Sequence, residues 1–238
     1  MKSKSSSFSE RVLELESAAF FEFNNLADYV WKSPRLLEHE TALEQKKLAR
    51  YFPDDSKTAE MRWKHESHKL TRVFPYLIAV GNLYSATSLF ESYMLLLADI
   101  LQDRSGVQID TARGLGITKF FSYFKSQGLR PSHIPLFEQV SAGIRIRNCF
   151  AHASGMLAWS RNEKELRRLQ SGGVYLSLDH RKRRISLGGR FDDILITNTP
   201  LGGKLQISNN YPHVVTNYFR EYFSELCKAV EDKFIANP

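Results

Sequence analysis

The stretch NLYSATSLFESYMLLLADIL, residues 82–101, constrains the fold more than any other part of the chain. It is the most apolar half of a long helical region spanning 58–102, and an apolar helix of that length has to lie centrally, with other elements packed around it. Its most apolar part, 89–101, carries Glu91 and Asp99, and is too short and too charged to span a bilayer. A bundle built on a central helix is the first expectation.

The flanking sequence supplies more helices. Val12, Leu15, Ala19, Phe23 and Leu26 recur at three- and four-residue steps, which predicts a helix over 8–31 that ends at Pro34. A second, more polar helix is predicted over 35–50. The segment 51–57, YFPDDSK, reads as a turn, with Asp55 or Ser56 available to cap the long helix after it. Pro75 and Gly81 are expected to kink or divide that helix, and 103–106 closes it. Further helices are predicted over 116–128, ending at a glycine, over 134–153, stopped by Gly155, over 161–170 and over 212–234. Between the last two the period changes. Residues 174–179 and 184–187 alternate as strands around a turn formed by HRKR, and 194–197 and 204–208 are further short strands.

The fold class is therefore all-α, a helical bundle with a small β insertion before the last helix. Residues 1–57 form N-terminal helices and 58–238 the bundle, with the β-rich insertion at about 174–208, all in one integrated domain. Residues 2–7 are Lys- and Ser-rich and read as a frayed end. A chain of 238 residues with 42% hydrophobic content can bury a single core. Two distant cysteines, Cys149 and Cys227, make no disulfide framework, and no apolar signal core comes after the first lysines. The expectation is a soluble, cytoplasmic protein with no membrane partner. Net charge is +7, which suits an anionic partner such as nucleic acid.

One polar stripe interrupts the apolar periodicity. RIRNCFAHASG, 145–155, sets Arg145, Arg147, Asn148 and His152 within two helical turns. Ala142, Ile146, Cys149, Phe150 and Ala153 fall on the other side of the helix. Arg145 and His152 are seven residues apart, so they lie on nearly the same line, roughly 10 Å apart along the axis. Arg147 sits about 140° from His152 on the wheel, a gap that a long guanidinium partly closes. Histidine can take a proton from a ribose 2′-hydroxyl. Arginine offers a permanent planar charge to a phosphate and its transition state, and asparagine can orient either. Together they have the chemistry to cleave RNA without a metal. As a solvated helix face they would do nothing.

RNCFAH, 147–152, resembles the Arg-x4–6-His motif of HEPN domains. Arg147 matches the motif arginine, Asn148 the polar residue next to it, and His152 the motif histidine. The helix end with its glycine, and the long central helix with its mid-helix Glu91, are similar to the family's as well. The resemblance covers roughly 75–235. It implies a dimeric α-bundle whose two motifs share one cleft, and metal-independent RNA endonuclease activity, with no cofactor, in toxins or in anti-phage and abortive-infection effectors that have antitoxin or defence-system partners. It equally admits a catalytically inactive RNA-, nucleotide- or protein-binding module. Arg145 also fits the permitted spacing and lies better on the His152 face, so it stands as a phosphate-binding helper or as the alternative arginine. The toxin subgroup paired with nucleotidyltransferase antitoxins carries a tyrosine two residues after the histidine; Ser154 stands there, which argues against control by modification at that position.

Other features carry less. Arg181, Lys182, Arg183 and Arg184 form a basic cluster that could hold RNA phosphates with a salt-dependent affinity. HESH, 65–68, has a metal-compatible histidine spacing without a third ligand, and no metal site is expected. Cys149 reads as a small buried residue. The Gly-Gly pairs at 172, 188 and 202 lack the order of a phosphate loop, and no Ser-His-Asp signature is present.

Overall fold

A computed structural model of the chain describes residues 7–235. Of the stretch read as frayed, 2–6 lie outside these residues. Ser7 is the N-cap of the first helix, α1 (Phe8–Tyr51), in a capping box: its hydroxyl accepts from the Glu10 N–H, and the Glu10 carboxylate accepts from the Ser7 N–H.

Helix α1 does not end at Pro34. It continues for 44 residues, about 66 Å. Proline removes a donor, which strands the Val30 carbonyl four residues back. That carbonyl accepts instead from Ser33 Oγ (3.0 Å) and from Asn209 Nδ2 (2.6 Å). Asn82 Nδ2 donates to Ser33 Oγ and Asn209 Oδ1 in turn. A buried polar knot tying three segments thus supplies what the proline withholds. The predicted break, and with it a separate second helix, is absent.

Helix α2 (Ser56–His68), capped by Asp55, runs through a π-helical turn (Lys69–Val73) into α3 (Phe74–Ser105). The π turn lies immediately before Pro75, where the ring would meet the carbonyl of Thr71; widening the helix there accommodates it. Gly81 produces no break. By length and composition the continuous run Ser56–Ser105 is apolar enough to cross a membrane, with a third of its most apolar window buried. The apolar segment at 89–101 is thus part of a longer helix than its own length suggests. Its inward face, with Leu83, Phe90, Met94 and Leu97, packs against α1, α5 (Phe137–Ala153) and the last helix, α8 (Asn210–Ile235). Phe90 and Phe219 stack at 4.5 Å in the centre. A single apolar core runs from Val12 to Val230.

Helices α4 (Ile117–Ser126) and α6 (Glu163–Gly172) complete the bundle. The β insertion is smaller than predicted. Only β1 (Ile194–Thr199) and β2 (Gly202–Ile207) form, as an antiparallel hairpin with Thr199 opposite Gly202. Val174 and Tyr175 lie in a turn, and the span from Leu178 to Ser186 is a helix, α7, rather than two strands and a turn. Tyr175 and Leu176 are adjacent and both buried, which no strand face permits. Ser177 then caps the helix through the His180 N–H, with Asp179 in the first turn and Arg183 and Arg184 in the last. The cap outweighs four residues of alternation.

The hairpin fixes the loop that leaves α5. The Gly155 N–H donates to the Cys149 carbonyl (3.1 Å), closing the helix in left-handed backbone at Ser154 and Gly155. The Gly155 carbonyl accepts from the Leu205 N–H (2.7 Å), and Met156 bridges to Lys204. The chain beyond the polar helix is thereby sewn to β2.

Candidate functional site

A cavity of about 720 Å³ opens where α3, the start of α4, the C-terminal half of α5 and the loop 159–162 meet. Arg147, Asn148 and His152 all line it. They come from one helix whose other face, with Ile146, Cys149 and Phe150, is buried against the bundle, which leaves these three side chains to the cavity.

Arg147 is half-buried. One arm of its guanidinium donates to Asn148 Oδ1 (3.0 Å), which sets the plane of the group. Its Nε is buried and has no protein partner. On α3, burial pushes the pKa of the Tyr84 phenol up, and the Arg147 charge works against the shift. No carboxylate lies within ion-pair reach of Arg147 among the described residues. His152 stands exposed at the end of α5, without a hydrogen-bond partner among the described residues. Cys149, between them in sequence, faces the core; burial pushes its thiol pKa up, and the neighbouring Ser160 works the other way.

The remaining wall contains residues that motif and spacing do not assign to the site. Glu91 reaches in from the middle of α3. Its Oε1 would lie 2.9 Å from a Cβ at Gly116, so only glycine, here with φ +54°, lets the start of α4 close over it. Thr87 lies one turn before it. Trp159, Arg161 and Asn162 come from the loop after α5. Glu91 is recognisable in the sequence as a mid-helix acid, but Trp159 and Arg161 carry no signal there, because only the Gly155 turn and the hairpin bring their loop round.

The other candidates go elsewhere. Arg145 does not line the cavity; it faces α6, with Glu165 at 4.0 Å, so the arginine on the better helical line with His152 is turned away from the group. Arg181, Lys182, Arg183 and Arg184 sit on α7, and none reaches the cavity. Lys182 and Arg183 are exposed. Arg184 is committed to Asp193, which is 2% exposed, and so is not a free phosphate ligand. His65 and His68 gather no third metal-ligand side chain among the described residues.

Fold and site together define a helical bundle with one polar cleft carrying two arginines, a histidine and a carboxylate. Compared with protein-family models, curated proteins and solved structures, the chain has no match.

Proposed function

We propose that the protein is a metal-independent RNA endonuclease of HEPN type, working in the cytoplasm as a homodimer, in the manner of a toxin or an anti-phage, abortive-infection effector with an antitoxin or defence-system partner. The observation that carries this reading is the convergence of Arg147, Asn148 and His152 on one cavity. In the reaction the 2′-oxygen attacks the adjacent phosphorus and the bond to the 5′-oxygen breaks. His152 takes the 2′-hydroxyl proton or supplies one to the departing oxygen. Arg147, held in plane by Asn148, offsets the charge that builds on the phosphoryl oxygens. A dimer sharing one cleft would bring two histidines, one for each proton transfer. The free, buried cysteines suit a reducing compartment.

A second reading, an inactive RNA-, nucleotide- or protein-binding module, is favoured by one feature: the His152 ring has no neighbour to orient it, whereas the base of a catalytic pair is held by a third group. One assay decides. Wild type and His152→Ala are incubated with total cellular RNA in excess EDTA and the fragment ends are read. Cleavage by wild type alone, leaving 2′,3′-cyclic phosphate and 5′-hydroxyl ends, supports the nuclease. No cleavage on any RNA by folded protein leaves the module. A solution mass showing only monomer at micromolar concentration would remove the shared cleft.

A further inference from the structure

We propose that Trp159 and Asn162 form a nucleobase subsite at the mouth of the cavity, taking one unstacked base whose phosphate lies toward Arg147 and Arg161. The proposal rests on the reading of the cavity as a nucleic-acid site and adds the element that selects the base.

The indole of Trp159 is 62% exposed although it lines a cavity, so one ring face is open to a ligand. It stands on a stiff base. The Trp159 N–H donates to the Met156 carbonyl (3.2 Å). Met156 and Leu157, just before it, are buried, and Met156 is bridged to the hairpin at Lys204. An aromatic plate on a fixed backbone loses little freedom when a flat ligand stacks on it. Leu115, in the loop just before α4, lines the same cavity and is 89% exposed, giving the ligand a second apolar edge.

Besides Glu91 and His152, the polar groups of this cavity include two arginines and a free carboxamide. Arg147 and Arg161 form no ion pair among the described residues, leaving two permanent cations for an anion. Asn162 occupies the N-cap position of α6, yet its side chain makes no capping bond: its backbone N–H donates to Ser160 Oγ at 3.3 Å and its carbonyl accepts from the Leu166 N–H at 2.9 Å, while the carboxamide has no partner among the described residues. The carboxamide is left with a donor pair and an acceptor, the combination that reads a base edge. A π-face, a free carboxamide and two cations in one cleft match a base joined to a phosphate, and every base offers a π-face to such a plate.

The test uses the full chain and short single-stranded 2′-O-methyl RNAs of uniform sequence, which cannot be cut by 2′-hydroxyl attack, with an abasic strand carrying the same phosphates as control. Wild type is expected to show quenched tryptophan emission on binding, and Trp159→Phe to lose that quench. Trp159→Ala should weaken binding about 5- to 140-fold, the worth of one base on one aromatic ring, while the abasic strand binds both proteins alike. Asn162→Ala should flatten the preference among the four uniform strands. Unchanged affinity in Trp159→Ala, a quench that persists in Trp159→Phe, or an equal loss on the abasic strand would each overturn the subsite. Failure of the nuclease reading shows elsewhere: a protein that cuts nothing but still binds base-bearing strands through Trp159 keeps the subsite, and one that cuts RNA with Trp159→Ala binding normally loses it alone.

Discussion

Replacing Arg184 by alanine should destabilise the fold, because this arginine is paired with a buried carboxylate. Asp193 is 2% exposed, and its carboxylate accepts from Arg184 Nη1 and from the Tyr175 hydroxyl at 3.1 Å. Removing one partner of a buried ion pair leaves an uncompensated charge, typically a loss of about 3–5 kcal/mol. Two features place Arg184→Ala at the lower end. The Arg184 side chain is 23% exposed, so water already screens part of the pair, and the Tyr175 phenol still donates after the change. The expected loss is ~3 kcal/mol, a fall of about 6–12 °C in Tm for a chain of this size. Urea melts monitored by circular dichroism give the number. The double variant Arg184→Ala, Asp193→Ala should recover much of the loss, because removing both charges leaves neither stranded. Lys182→Ala with Arg183→Ala, both on exposed parts of the same helix, should stay within about 0.5 kcal/mol of wild type. A loss below about 1 kcal/mol in Arg184→Ala would refute the assignment of this arginine to the fold, and would return it to the group available to phosphates.

The Tyr211 hydroxyl is buried without a partner among the described residues, so Tyr211→Phe should stabilise the protein by about 1 kcal/mol in urea melts at neutral pH. Burial pushes the phenols of Tyr211, Tyr175 and Tyr222 above their ordinary value; the stability tied to their neutral forms is complete below about pH 10 and falls as pH rises beyond it, and Tyr211→Phe should make that alkaline loss shallower. Gly143→Ala should lower Tm, losing about 1–3 kcal/mol, because a Cβ there would stand 2.7 Å from Val215 Cγ2 and 3.2 Å from Phe219 Cζ, both on fully buried residues of α8. If the protein cleaves RNA, initial rates should fall about 10²–10³-fold in Arg147→Ala and less than about tenfold in Arg145→Ala; the reverse order would mean that Arg145 is the working arginine.

Hydrophobic periodicity sufficed for most helices, because a three-to-four-residue apolar step is a local property that packing rarely overrides. It failed where a distant residue changed the local balance. Pro34 reads as a stop, yet the carbonyl it strands is satisfied by Asn209, far along the chain. The alternation at 174–179 reads as a strand, but its consecutive buried residues and the Ser177 cap belong to a turn and a helix. A rule that counts apolar spacing over four to six residues sees the alternation and misses the cap.

The site divides in the same way. Arg147, Asn148 and His152 are neighbours on one helix, so their grouping could be read from spacing alone. Which of two arginines joins them could not, since the wheel favours Arg145, and the outcome turns on what each meets across the bundle. Arg145 meets Glu165 on α6, whereas Arg147 meets an asparagine and a cavity. An arginine facing a glutamate at 4.0 Å is partly neutralised there. Arg147, with its only carboxylate neighbour in the cavity being Glu91 on another wall, keeps its charge for what enters. What separates the two arginines in the structure is thus the acid on α6, which stands opposite Arg145 and not Arg147.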